Sequence, residues 1–326
     1  MSYSVTDISL ENLGSLFSDS RQKLNWSSVF ITPVWLRAWW QVFGEGWQLY
    51  IREVRDGSTV IGIAPLMIKN NTACFIGGTD VCDYQDFIVV PGKENEFFTV
   101  LLDDLKSRGI RQLELKHVRP DSAVYVQMTA TARERDYGVE CTAEEVTVEM
   151  GLPGAWEEYL ERLSSKQRHE VKRKLRRLTE AGEINYKWVD DISAVPGFMD
   201  VFFRMFTESR ADKAEFLTEQ REVFFRAIVD KMSAAGLLKL GILELDGREM
   251  ASIICFDYNN TIYLYNSGYD PEYNYLSVGL LSKVLCIQKS IEAEREKFDF
   301  LKGAEAYKYH LGGQEIPLYR CEISIK

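Results

Sequence analysis

The pattern of apolar and polar positions divides the chain into short alternating runs and longer helical ones. Residues 3–8 alternate with the period of two that a half-buried strand requires, and 10–17 carry apolar residues at helical spacing. Thr32 followed by Pro33 reads as an N-cap and a first turn. The hydroxyl can accept from an exposed N–H, and proline lacks the N–H that a first turn cannot use. The following run puts Trp35, Leu36, Trp39, Trp40 and Phe43 on one broad face and ends at Gly44. Four tryptophans between 35 and 47 invite a ligand-cage reading, but helical spacing favours core packing.

Beyond Trp47 the period changes. WQLYIREVRDGSTVIGIAPLMIKNNTACFIGG reads as three strands joined by turns at Asp56-Gly57 and Asn70-Asn71. Residues 83–90 read as a further strand, 94–107 as a helix closed by Gly109, and 111–118 as a returning strand. The run LKLGILELDGREMASIICFDYNNTIYLYNSG, 238–268, repeats that order: strand, Asp-Gly, strand, Asn-Asn-Thr, strand, glycine. A helix near 276–291 and the strand FDFL follow. Turn signals recurring in one order at nearly one spacing predict two copies of a single unit. Each would be a mixed α/β sheet with helices packed on it. Helical segments at 155–163, 165–181, 195–210 and 218–235 lie between the copies. The boundary is expected near Gly151–Gly154, giving domains 1–152 and 153–326.

Length and composition agree with this. A chain of 326 residues with 46% apolar and 12% aromatic content is globular and suits two domains. A net charge of −10 argues against a general nucleic-acid or anionic-membrane binder. Six scattered cysteines form no CxxC pair, and three histidines form no HExxH pattern, so no metal is expected. No secretory signal is read at the start, and the apolar runs fall far short of the ~20 residues of a membrane span. A soluble, cytoplasmic protein with reduced cysteines and no membrane insertion is the expectation.

One segment departs from the acidic average. SSKQRHEVKRKLRRL, 164–178, holds seven Lys or Arg against one Glu, with Val171, Leu175 and Leu178 as an apolar stripe. Its cationic face, with Lys166, Arg168 and Arg173, is either solvated or a dock for an anionic substrate such as a sugar phosphate, a nucleotide carrier or an RNA acceptor stem. A second segment, FDFLKGAEAYKYH at 298–310, starts as a strand and breaks at Gly303. It then carries Glu305, Tyr307, Lys308 and His310, titratable groups at a strand's mouth.

The tandem units, the SSKQRHEVKRKLRR helix between them and the ending FDF-x-x-G-x-E-x-YK resemble the double GNAT acyltransferases. The similarity is greatest to the group with CelD-type or BioF2-like acetyltransferase domains, relatives of the FemABX aminoacyl-tRNA-dependent transferases. It spans the chain from the Trp35–Trp47 helix through Lys308. The resemblance implies two tandem GNAT-like domains, with a basic linking helix at 164–181 and the donor site in the second. It implies transfer of an acyl group to an amine, on an amino sugar or a polysaccharide or envelope precursor. The donor would be acyl-CoA (acetyl-CoA) or, as in FemABX relatives, a charged tRNA; a non-catalytic scaffold role is the third reading.

In that family the carrier's phosphates lie at the N-terminus of the helix after the splayed strands, where open N–H groups and the helix dipole favour an anion. Here this is Asn274, Tyr275, Ser277, Val278 and Gly279. The usual Q/R-x-x-G-x-G/A loop is absent, so a serine-capped ordinary helix is the alternative. Glu305 is a candidate base or a surface ion pair, and Tyr307 an acid for the leaving thiolate or a packing residue. Lys308 would hold donor phosphate or the oxyanion, or be a loop lysine. His310 is a candidate by its titration range. In the first copy, Asp83, Tyr84 and Asp86 enter the equivalent sheet opening, and Asp86 is the choice for acceptor contact. The first copy's own helix carries Glu94 and Glu96 in its first turn, which would repel phosphate.

Overall fold

The protein is described by a computed structural model covering residues 3–19, 21, 23–189 and 192–326. It divides into two units: the chain up to Val146 together with Ile316–Lys326, and Thr147–Glu315. Unit 1 contains β1 (Tyr3–Asp7), α1 (Leu10–Ser18), α2 (Pro33–Phe43), β2 (Gln48–Asp56), β3 (Thr59–Lys69) and β4 (Thr72–Phe75). It continues with β5 (Ile88–Val89), α3 (Glu94–Ser107), β6 (Gln112–Val118), α4 (Thr129–Glu134) and the first part of β7 (Gly138–Gly151). Unit 2 opens in β7 and adds α5 (Trp156–Arg162), α6 (Ser165–Glu180), β8 (Ile184–Val189), α7 (Val195–Ser209), α8 (Ala211–Phe216) and α9 (Glu219–Ala234). Then come β9 (Leu238–Leu245), β10 (Arg248–Tyr258), β11 (Thr261–Tyr269), α10 (Val278–Glu292), β12 (Lys297–Lys302), α11 (Ala306–His310) and β13 (Gln314–Ser324).

In unit 1 the strands run β1-β2-β3-β4-β6-β13, with β5 beside β3. All these pairs are antiparallel except β4 with β6, whose parallel register is Thr72↔Gln112 and Ala73↔Leu113. Strand β13 belongs here because it pairs with β6, Cys321 opposite Leu115 and Ile323 opposite Leu113. That pairing takes the last eleven residues out of the 153–326 domain expected from the sequence. Phe97, Phe98, Leu101, Leu102 and Leu105 of α3 bury against the sheet residues Leu66, Phe75, Leu113 and Leu115. The expected strand at 83–90 is reduced to Ile88–Val89. Asp86 turns its carboxylate to the backbone N–H of Phe87 and, 37 and 38 residues on, to those of Ala123 and Val124, which takes this stretch out of a ladder.

Helix α2 follows the sequence reading. Thr32 accepts from Trp35 N, Pro33 sits in the first turn, and Trp35, Leu36 and Trp39 are buried. Trp35 Nε1 donates to Cys82 Sγ at 2.8 Å, so this tryptophan is a core residue.

In unit 2 the order is β7-β12-β11-β10-β9-β8, again antiparallel with one parallel pair. That pair is β11 with β12, in register over Thr261↔Lys297, Ile262↔Phe298 and Tyr263↔Asp299. The repeated turns share backbone geometry as well as sequence. Asn70 and Asn71 (φ 52° and 62°) match Asn259 and Asn260 (φ 49° and 55°), all left-handed, as a tight hairpin turn demands. Gly268 on β11 is fixed by packing: a Cβ there would lie 2.5 Å from the backbone N of Phe206 in α7. No described helix is long and apolar enough to cross a membrane.

Candidate active site

The chemistry-bearing groups of unit 2 gather where β11 and β12 part. After three residue pairs the two parallel strands separate, and β12 goes on pairing only with β7. A bulge sits on each side of the opening: Tyr265 is extra between Leu264 and Asn266 against β10, and β12 breaks register between Asp299 and Leu301. Leu301 is left-handed (φ 63°), a costly conformation for a branched residue. Asp299, fully buried, holds it there by accepting from Leu301 N at 2.8 Å and from Thr147 Oγ1 at 3.4 Å. This explains the acid inside FDF.

The bulge aims the carbonyls of Leu301, Lys302 and Gly303 at one point, which Lys308 fills. Its Nζ donates to these oxygens at 2.9, 2.7 and 3.1 Å and pairs with Glu305 at 2.9 Å. Lys308 is 2% exposed, so its ammonium serves as a clamp on the strand end and holds Glu305 beside it. Glu305 starts α11 and its carboxylate is partly open to solvent. Gly303 (φ 105°) has no room for a side chain, because its Cβ would lie 2.6 Å from that carboxylate. The stretch after Gly303 is thus a short helix, where the sequence suggested a loop.

Two lysines that sequence reading passed over join this cluster. Lys283 of α10 is buried, donates to Gly279 O at 2.7 Å and stands 5.2 Å from the Tyr307 ring centre. Burial, then the nearby charge of Lys213, pushes its pKa down to about 7. Lys213 of α8 donates to Ser267 O on β11, and burial followed by the charge of Arg210 lowers it to about 8. Asp212 and then Glu305 oppose this for Lys213, and Cys286, Cys255 and then Glu305 oppose it for Lys283. Burial and then Glu305 raise the Tyr307 phenol well above its ordinary range, so it stays protonated and able to donate. A signal existed for Lys283: its i±3 and i±4 neighbours, Gly279, Leu280, Cys286 and Ile287, are all small or apolar, so the sequence already put it on a buried face.

At the other rim stands the start of α10. Residues Pro271–Leu276, including Asn274 and Tyr275, form a 3-10 turn, and Ser277 follows in left-handed conformation (φ 60°). Ser277 makes no side-chain cap; its hydroxyl accepts from Arg177 Nη2 of α6 at 3.4 Å. The serine-capped helix is therefore not what forms, and the first-turn N–H groups of Val278 and Gly279 have no side-chain cap from it. Val278 is buried, Gly279 packs against the Tyr269 ring, and Tyr275 is 66% exposed. Arg177 was not among the sequence candidates on the basic helix. Of those that were, Lys166 is exposed, Arg168 is half-buried, and Arg173 is tied to Glu170 at 2.8 and 2.9 Å.

Of the remaining candidates, one is on α11 and three belong to unit 1. His310 is exposed in the last turn of α11. Asp83, Tyr84 and Asp86 are in unit 1. Tyr84 is buried edge-on against Phe30, with the Arg119 guanidinium 5.1 Å from its ring centre. Asp86 caps Ala123 and Val124 at 2.8 and 3.2 Å, and burial outweighs these bonds to raise its carboxyl to about 7.

Known proteins match this arrangement in fold. A family model described as an acetyltransferase (GNAT) domain matches residues 165–309, a span that contains the whole unit-2 cluster. Among solved structures, FemX is similar with a TM-score of 0.67 at 12% identity, over 99% of this chain and 97% of its own. A conserved protein of unknown function from Bacteroides thetaiotaomicron gives 0.60 at 12% identity, over 99% of both chains. A tandem GNAT protein from the clavulanic acid biosynthesis pathway gives 0.53 at 13% identity, over 99% of this chain and 98% of its own. No curated protein sequence matches the chain. The mixed α/β fold with GNAT-like units expected from the sequence is the one observed.

Proposed function

We propose that unit 2 is an N-acyltransferase moving an acyl group from an acyl-CoA, acetyl-CoA in the simplest case, to a primary amine on an amino sugar or a related polysaccharide or envelope precursor. The carrying observation is geometric. One opening between parallel strands is bounded by a helix start without a side-chain cap and by Lys213, Lys283, Glu305 and Tyr307. The N-terminus of α10 and Arg177 suit the carrier's phosphates. Glu305 takes the proton of the attacking amine. The new C–N bond forms at the thioester carbonyl as the C–S bond breaks, and the Tyr307 O–H protonates the departing thiolate. Lys213 and Lys283 add positive charge where the oxyanion develops.

The finer family placement in the CelD-type or BioF2-like group, and a cytoplasmic setting with all six cysteines free, belong to the same proposal. A second reading keeps the chemistry and replaces the donor by an aminoacyl-tRNA. It rests on the exposed cations Lys166, Lys172 and Arg173 of α6 and on the resemblance to FemABX enzymes.

Calorimetric titration with acetyl-CoA, longer acyl-CoAs and charged tRNA separates the donors, and a protein that binds none of them is a scaffold. With acetyl-CoA and glucosamine, thiol release is expected, and Glu305→Gln should slow it about 100-fold with donor affinity kept. Unchanged turnover in both Glu305→Gln and Tyr307→Phe would remove these residues from the mechanism.

A further inference from the structure

Unit 1 holds a cavity of about 190 Å³ that the unit-2 reading does not use. Trp47, Met67 and Phe75 form its apolar wall; Gln85, Glu114 and His117 form its polar wall. Two backbone departures face it. His117 is left-handed (φ 51°) at the register shift where β6 meets β13 opposite Arg320, which turns its side chain off the regular ladder. Gly77 (φ 145°) presses its backbone so close that a Cβ would lie 2.5 Å from the Gln85 amide nitrogen.

The polar wall is fixed before any ligand arrives. Gln85, buried, donates from Nε2 to Ile76 O at 2.6 Å. Glu114 is oriented by Lys116 at 3.1 Å and Arg320 at 2.6 Å. His117, also buried, has Nε2 3.7 Å from the Glu144 carboxylate. Beneath the loop, Trp35 bonds Cys82, and Trp39 Nε1 stands 3.5 Å from where a Cβ of Gly78 would be, so α2 props the wall from behind. Such propping holds a binding geometry without an ordering cost.

Size and charge select the occupant. Ligand pockets for drug-sized molecules span roughly 300–1,000 Å³, so this one suits a single ring. Among the lining residues one carboxylate, Glu114, is paired with one lysine, Lys116, which leaves no uncompensated cation for a phosphorylated or carboxylated guest. An indole beside an amide, a carboxylate and an imidazole suits a pyranose: C–H bonds of the ring face lie on the negative π surface, and hydroxyls meet the polar groups. We propose that this cavity is a subsite for one uncharged or amine-bearing hexopyranose ring, with its apolar face on Trp47 and its hydroxyls on Gln85, Glu114 and His117. The proposal concerns unit 1 alone and stands whether or not unit 2 is an acyltransferase.

The test uses the full chain. Saturation-transfer NMR and calorimetry are run with glucose, glucosamine and N-acetylglucosamine, and with serine and inorganic phosphate as other ligand classes. At least one hexose should bind saturably in the region of ~1 mM, with saturation strongest at the protons of one ring face. Trp47→Ala should weaken it at least tenfold at an unchanged melting temperature. Glu114→Gln, close to isosteric, should weaken it as well and supplies the reading if the tryptophan variant melts early. Absence of saturable hexose binding, wild-type binding in both variants, or binding of serine or phosphate in its place overturns the proposal. Acetyl-CoA binding is measured in the same preparation, so failure of the unit-2 reading shows separately.

Discussion

Strand β6 of unit 1 and strand β12 of unit 2 use one backbone device for two ends. Each is the parallel strand of its unit, each departs from its parallel partner after two or three residue pairs, and each carries a left-handed residue at a bulge. In β12 that residue is Leu301, and the bulge collects three carbonyls on Lys308, which fixes Glu305 at the mouth. In β6 it is His117, so the bulge itself delivers a titratable side chain to a cavity wall. Downstream, unit 1 has Asp86 capping the turn that begins at Ala123, whereas unit 2 has a lysine clamping a strand end. The strain is inherited by the repeat; what it positions is decided by the few residues around it.

The hardest way to break the unit-2 side is Lys308→Met. It keeps the volume but leaves three inward carbonyls and Glu305 without their donor, so stability should fall by about 4 kcal/mol in urea unfolding. A loss below ~1 kcal/mol would mean that the clamp is dispensable.

Asp86 sharpens the unit-1 side. Its carboxyl titrates at about 7 in the folded protein and near 3.9 unfolded. A raised pKa stabilises most below the unfolded value, and that contribution is lost as pH rises through 7. Between pH 4 and 8 the wild type should therefore lose roughly 3–4 kcal/mol relative to Asp86→Asn, in which the slope vanishes. Parallel pH dependence of the two proteins would show that Asp86 is ionised throughout.

The smallest effect is expected at Lys213. With its pKa at about 8 and that of Lys283 at about 7, the site sheds positive charge as pH rises through this range. Turnover should fall about tenfold from pH 7 to 9 with donor KM kept, and Lys213→Arg, which keeps its charge, should flatten the fall. An identical profile in the variant would exclude Lys213 from stabilising the oxyanion.

Legibility in the sequence followed the range of the interaction. The hairpins at Asn70-Asn71 and Asn259-Asn260, the start of α2 and the repeat itself were readable because turn and cap chemistry acts within four residues. Strand 83–90 failed because Asp86 serves a turn 37 residues away, a partner that periodicity cannot show. Strand β13 was missed for the same reason, since its partner β6 lies nearly two hundred residues upstream. At the proposed site, Glu305 and Tyr307 could be singled out from the sequence because they stand beside a glycine break. Lys308 read as a holder of donor phosphate or the oxyanion, or as a loop lysine; it clamps the strand end, because only the bulge reveals three carbonyls aimed at it. Lys213 sits in a short exposed helix, and nothing local marks the β11 carbonyl it reaches.

The placement of β13 has a consequence for how the protein is made. Unit 2 is contiguous, whereas unit 1 is interrupted by it. On the ribosome, β6 is finished at Val118, but the strand that pairs with it begins only at Gln314. At ~5–20 residues per second this leaves a strand edge of unit 1 open for roughly 10–40 s, the time in which the later-encoded unit is synthesised and receives its last residue first. The nascent chain must carry an unpaired edge through most of its synthesis, the state in which a strand is most prone to pair with a neighbour. Order of synthesis and order of completion are therefore reversed in this molecule.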